Sequence, residues 1–200
     1  MKYILSIIIL IFTINVNIFA DLANKEIRGF INNFNKNIAK IEKAISEDQK
    51  DAPIKLVALI ERNIDTTYSN IIKSLTATRL NDTDKEYYKD LVLGYYIFNL
   101  KQNFQSLDFS NAGIGQVFEE QSDQEPKIIY NYAITDVKSG EDPISVSYSI
   151  IENNNKPKIM NVKRNDTYLI NDDINSFINY LKIRGYTTEA KNLESLFTKE

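Results

Sequence analysis

The sequence predicts an α+β fold: helices first, then a meander of strands, then helices again. Two observations carry this. Apolar residues recur every three or four positions through the first hundred residues and again near the end, whereas residues 114–164 alternate apolar and polar side chains. The middle two of four expected strands show one dry face each, which suits a mainly antiparallel sheet covered on one side only.

The first twenty residues, MKYILSIIILIFTINVNIFA, place one lysine before a nearly continuous apolar run and end on Ala20. This is the layout of an export signal, expected to be cleaved after Ala20. Residues 21–200 then form a single domain. Lys2 is the only charged residue of the signal, so its removal takes the formal charge from −3 to −4.

Residues 24–46 follow as an amphipathic helix, with Ile27, Phe30, Ile31, Phe34, Ile38, Ile41 and Ile45 on one stripe. Asp51 and Pro53 open a second helix, and a short third one is expected over Thr66–Leu75. Thr83-Asp84-Lys85-Glu86 has the form of a capping box and starts a long helix to about Phe104, carrying Tyr88, Leu91, Tyr95 and Phe98 on one stripe. Four strands follow: IGQVFEE, KIIYNYAIT, ISVSYSI and PKIMNVKR. In the middle two, Ile128, Tyr130, Tyr132 and Ile134 share one face, as do Ile144, Val146, Tyr148 and Ile150. Helical spacing returns in INSFINYLKIRGY and TTEAKNLESLF, separated at Gly185.

Composition limits the chemistry. With no cysteine and no histidine, disulfides, thiol nucleophiles, histidine-based triads and nearly all zinc sites are excluded. The acidic balance disfavours nucleic acid as a partner. Asp82, Asp84 and Glu86, and the pair Asp172-Asp173, sit where helix starts favour negative charge, so neither group reads as a metal or catalytic site. Lys36, Lys40 and Lys43 line the polar side of the first helix, and Lys156, Lys158, Lys163 and Arg164 cluster on the fourth strand. Such clusters are solvated faces, or else contacts for an anionic head group or acidic partner. The 12 tyrosines and 10 phenylalanines fall often on inward positions, where they build either a solid core or the rim and wall of a pocket.

Three stretches, ALIERNIDTTYSNIIKSL, NDTDKEYYKDLVLGYYIFNLKQNF and the run from Ile144 to Gly185, resemble the MlaC family in order and spacing. This family comprises the periplasmic phospholipid-binding proteins of the lipid-asymmetry ABC transport system, also called toluene-tolerance auxiliary proteins. Val146 and Tyr148 match its strand motif, Lys158, Ile159 and Val162 its next strand, and Phe177 and Gly185 its closing helix. Pro157 and Asn161 stand where the family has Trp and Asp, and Asp166-Thr167-Tyr168 replaces its Gly-Val-Ser turn.

The resemblance implies a periplasmic carrier, without catalytic residues, metal or cofactor, in which N-terminal helices and a C-terminal helical segment pack on a curved, mainly antiparallel four-stranded sheet enclosing an apolar pocket for phospholipid acyl chains. Its partners would be an inner-membrane ABC transporter and an outer-membrane lipoprotein complex. On this basis Tyr95, Phe98, Tyr130, Tyr132, Ile134, Val146, Tyr148, Ile150, Met160 and Val162 are the expected lipid-binding residues. The competing expectations are a secreted interaction protein with a solid aromatic core, or a cone-fold dehydratase- or isomerase-like enzyme. The enzyme would need an inward carboxylate, which the apolar faces of the strands do not supply.

Overall fold

The computed structural model describes the backbone of residues 2–113, 115–121, 123, 125–126, 128–139 and 142–197. Within these, the side chains of 2–23, 134–136, 139 and 142–143 are outside the description, so the expected signal falls among side chains that are not described. Among the described residues six helices and five strands run in the order α1 (Lys2–Ser46), α2 (Ala52–Asn63), α3 (Asn70–Thr76), α4 (Asp82–Phe104), β1 (Gln116–Gln121), β2 (Ile128–Ser139), β3 (Asp142–Asn153), β4 (Lys156–Arg164), β5 (Thr167–Tyr168), α5 (Ile174–Ile183) and α6 (Thr187–Phe197). Among the described residues no helix is long and apolar enough to cross a membrane.

The strands form one antiparallel meander, β1-β2-β3-β4-β5. The expected four strands are present and a fifth is added. Asn165, at φ 50°, turns the chain back so that Thr167 and Tyr168 pair with Arg164 and Lys163. The sequence gives no alternation there because two residues are too few to show a period. Between β3 and β4, Asn154 and Asn155 both adopt left-handed φ values of 52° and 57°. That is a two-residue hairpin turn of the mirror-image kind, which Asn tolerates.

The helix starts correct the expectations in detail. α3 begins at Asn70 rather than Thr66, because Asp65 Oδ1 accepts from the Thr67 amide and bends the chain, leaving Ser69 to cap the helix through the Ile72 amide. α4 is capped by Asn81, whose Oδ1 accepts from the Asp84 amide, so the cap lies two residues before the expected Thr83. α5 ends in a Schellman motif: Gly185 N–H donates to Lys182 and Tyr186 N–H to Leu181, with Gly185 at φ 86°.

The two aspartates before α5 do different jobs. Asp173 caps α5 itself, accepting from the Asn175 and Ser176 amides and from the Ser176 hydroxyl. Asp172 reaches across the fold to accept from the Asn70 and Ile71 amides at 2.7 and 3.3 Å, covering the start of α3. Asp173→Ala is expected to lower stability by about 1–2 kcal/mol, read as an earlier urea midpoint with unchanged slope.

The core lies between the helices and the inner face of the sheet. Ile27, Ile31, Phe34 and Ile38 of α1 are buried with Leu56 and Ile60 of α2, Val92 and Leu100 of α4, and Tyr132, Val146, Tyr148 and Val162 of the sheet. α1 therefore presents the stripe expected of it, and its residues lie over the dry face of ISVSYSI.

Candidate functional site

The expected lipid-binding residues fall into three groups. The first is the inner face of the sheet: Tyr132, Val146, Tyr148, Ile150 and Val162 are fully buried, and Tyr130 nearly so. Phe34 of α1 meets the Tyr148 ring edge-on at 5.9 Å. The tyrosine hydroxyls are satisfied by α1 as well. Tyr148 donates to Asn35 Oδ1 at 2.8 Å, and Tyr132 donates to Asn32 Oδ1 at 3.1 Å while accepting from the Gly115 amide. Gly115 is needed there, since a Cβ would lie 1.7 Å from the Ala133 carbonyl oxygen. Burial, with the Glu42 charge adding to it, drives the Tyr148 hydroxyl well above its ordinary pKa. Ile134 pairs with Val146 in the sheet, but its side chain is outside the described residues.

The second group is on α4. Tyr95 and Phe98 face α5 rather than the sheet, with Tyr180 at 5.1 and 5.5 Å from their rings and Phe177 at 5.8 Å from Tyr95. Tyr95 donates to the Asn171 carbonyl, and burial together with Asp173 and Asp172 pushes its hydroxyl up to about 12.

Met160 forms the third group alone. The register of β3 against β4 shifts at this point: Ser149 pairs with Asn161 and Ile150 with Ile159, leaving Met160 as the extra residue of a β-bulge. The bulge lets Ile159 and Val162 both point into the core, while Met160 is half-buried. It lines an open groove of about 440 Å³.

That groove runs from β2, β3 and β4 to the start of α3. Ile129, Met160, Ile170 and Tyr96 give it apolar wall, while Ser149, Asn161, Lys73 and Asp172 supply polar groups. Its volume falls in the ~300–1,000 Å³ range of small-molecule sites. Tyr96 is the residue that sequence reasoning missed, because the stripe Tyr88, Leu91, Tyr95, Phe98 directs attention one position away. Burial first, and then Asp172, raises the Tyr96 hydroxyl above its ordinary range.

A second omission is Glu42. It lies on the apolar stripe of α1, four residues after Ile38 and three before Ile45, so the sequence carried the signal. Its Oε2 accepts from the Phe109 amide at 3.4 Å, whereas Oε1 is buried without a partner. Burial, against the Phe109 hydrogen bond and with Asp108 nearby, raises its pKa to about 7. The inward carboxylate that the strands do not supply thus comes from a helix. It abuts packed side chains, and none of the grooves described here reaches it.

No protein-family profile and no curated protein matches the chain. Among solved structures, it is similar to a phospholipid-binding protein from Ralstonia solanacearum, solved in complex with a phospholipid, at 12% identity and TM-score 0.49, over 84% of this chain and 94% of that one.

Proposed function

We propose that this chain is a periplasmic carrier that binds phospholipid and passes it between an outer-membrane complex and an inner-membrane ABC transporter, after export and cleavage behind Ala20. The observation that carries the reading is the groove at Met160. It is an open amphipathic cleft, on a chain whose helix, strand and turn order resembles that of MlaC-type carriers. Two acyl chains of a membrane lipid hold about thirty methylenes, worth ~25 kcal/mol against water at ~0.8 kcal/mol each. A carrier must therefore cover nearly all of them. The groove would take part of one chain on the face that carries Ile129 and Ser149, and the remainder would need the opposite face, between the sheet and α1, to open.

One observation favours the alternative of a solid aromatic core. Asn32 and Asn35 of α1 close the hydrogen bonds of Tyr132 and Tyr148, which is how a permanently packed face is finished.

Native mass spectrometry of the chain recovered from bacteria without detergent, followed by lipid extraction, separates the two. The carrier shows a stoichiometric phospholipid adduct, and Met160→Trp, which fills the groove from a half-buried position, reduces it at least about fivefold with little change in melting temperature. A stable chain that arrives empty and refuses added phospholipid identifies the solid core.

A further inference from the structure

A second groove, of about 380 Å³, lies between α1 and α2 and is lined by Asn37, Lys40, Ile41, Lys55, Ala58, Leu59 and Arg62. One member of each basic cluster seen in the sequence lies in or beside it. Lys40 comes from α1, with Lys36 one turn earlier, and Lys158 of β4 donates to the Arg62 carbonyl at the end of α2. Lys55 is paired with Asp51 at 2.7 Å, but among the described residues no carboxylate is within ion-pair distance of Lys40 or Arg62. Even with Asp51 and Glu61 counted against them, cations are in excess here on a chain whose formal charge is −3. Ile54 stands beside them, one helical turn before Ala58 and 71% exposed.

We infer that this α1–α2 face docks on the surface of an anionic phospholipid bilayer. Lys40 and Arg62, which have no ion-pair partner among the described residues, beside an outward isoleucine match both layers of such a surface: phosphates take the cations, and the boundary with the acyl region takes Ile54. The attraction is reversible, because four or five cations act only within a screening length of the lipid. For a carrier, this would be the face turned toward a donor or acceptor membrane. That use rests on the reading above, while the docking itself does not.

Co-sedimentation of the full chain with phosphatidylcholine vesicles, with and without about one-quarter phosphatidylglycerol, tests it. The readout is the difference between the two vesicle types and its loss on charge reversal, since binding through apolar burial alone would be the same for both. Anionic vesicles are expected to bind roughly tenfold more protein at low salt, the excess fading as salt rises to about 0.3 M. The double variant Lys40→Glu/Arg62→Glu, at exposed positions, should lose the preference and keep its helical circular dichroism. Lys101→Glu on α4 should keep it. Equal binding to both vesicles, a preference surviving the double reversal, or equal loss in Lys101→Glu would overturn the assignment. Native mass spectrometry of the same double variant keeps the two readings apart. A lipid adduct without vesicle preference leaves the carrier and removes the docking face, whereas vesicle preference in the parent chain without any adduct does the reverse.

Discussion

Phe34→Ala is expected to cost about 3–5 kcal/mol, a large share of the ~5–15 kcal/mol that holds a domain of this size together. Phe34 is 2% exposed and sits where three elements meet. Its ring contacts Phe30 of α1 at 6.5 Å, Phe104 of α4 at 6.0 Å and Tyr148 of β3 at 5.9 Å. Truncation removes the transfer energy of the ring and leaves a void that none of the three can fill without shifting the other two. Urea unfolding should show a much earlier midpoint at an unchanged slope. The half-buried Phe30, trimmed in the same way, should cost roughly 1 kcal/mol. The experiment also bears on the carrier reading. If acyl chains enter the seam between α1 and the sheet, added phospholipid should recover part of the lost stability in Phe34→Ala, while in a solid core it should recover none.

Glu42→Gln is expected to stabilise the chain at pH 8 and to do little at pH 5. The folded carboxyl titrates near 7 and the unfolded one near 4.5, so the folded state binds the proton more tightly. Stability is therefore highest below the unfolded pKa, falls as pH rises from about 4.5 to 7, and carries the full penalty above that window. Glu42 as a whole residue is only half-buried, which reduces the penalty to roughly 1–2 kcal/mol at pH 8. The chain has no histidine, so no other side chain has an ordinary pKa inside this window. Urea midpoints of the parent chain at pH 5 and pH 8 should differ, and those of Glu42→Gln should converge. If the parent midpoints coincide, the buried oxygen has a partner in solution.

Much of the fold was legible because its signals are periodic. The stripe from Ile27 to Ile45 and the alternation from Ile144 to Ile150 each repeat often enough to fix a face. What escaped reading depends on single residues or on distant partners. Met160 follows the same alternation as Val162 in the sequence, and only the pairing of β4 with β3 shows that a bulge intervenes. Asn32 and Asn35 look like the polar side of α1, yet they turn inward because Tyr132 and Tyr148 need acceptors. Tyr95 and Phe98 are aromatic residues on a helix, and nothing local says that α5, rather than the sheet, will cover them. Asp172 and Asp173 both read as one helix start, although one of them serves a helix a hundred residues earlier.

That reach of Asp172 has a consequence for the order in which the molecule can be completed. The amides it covers, Asn70 and Ile71, lie 102 and 101 residues before it, and Tyr88 of α4 donates to the carbonyl of Glu189, another 101 residues away. Contacts between such distant parts of a chain form late, because a long loop must close before either end is rewarded. During synthesis α2, α3 and α4 emerge well before their partners exist. The first turn of α3 must wait, solvated, until the residues before α5 have left the ribosome, and only then does this side of the molecule close.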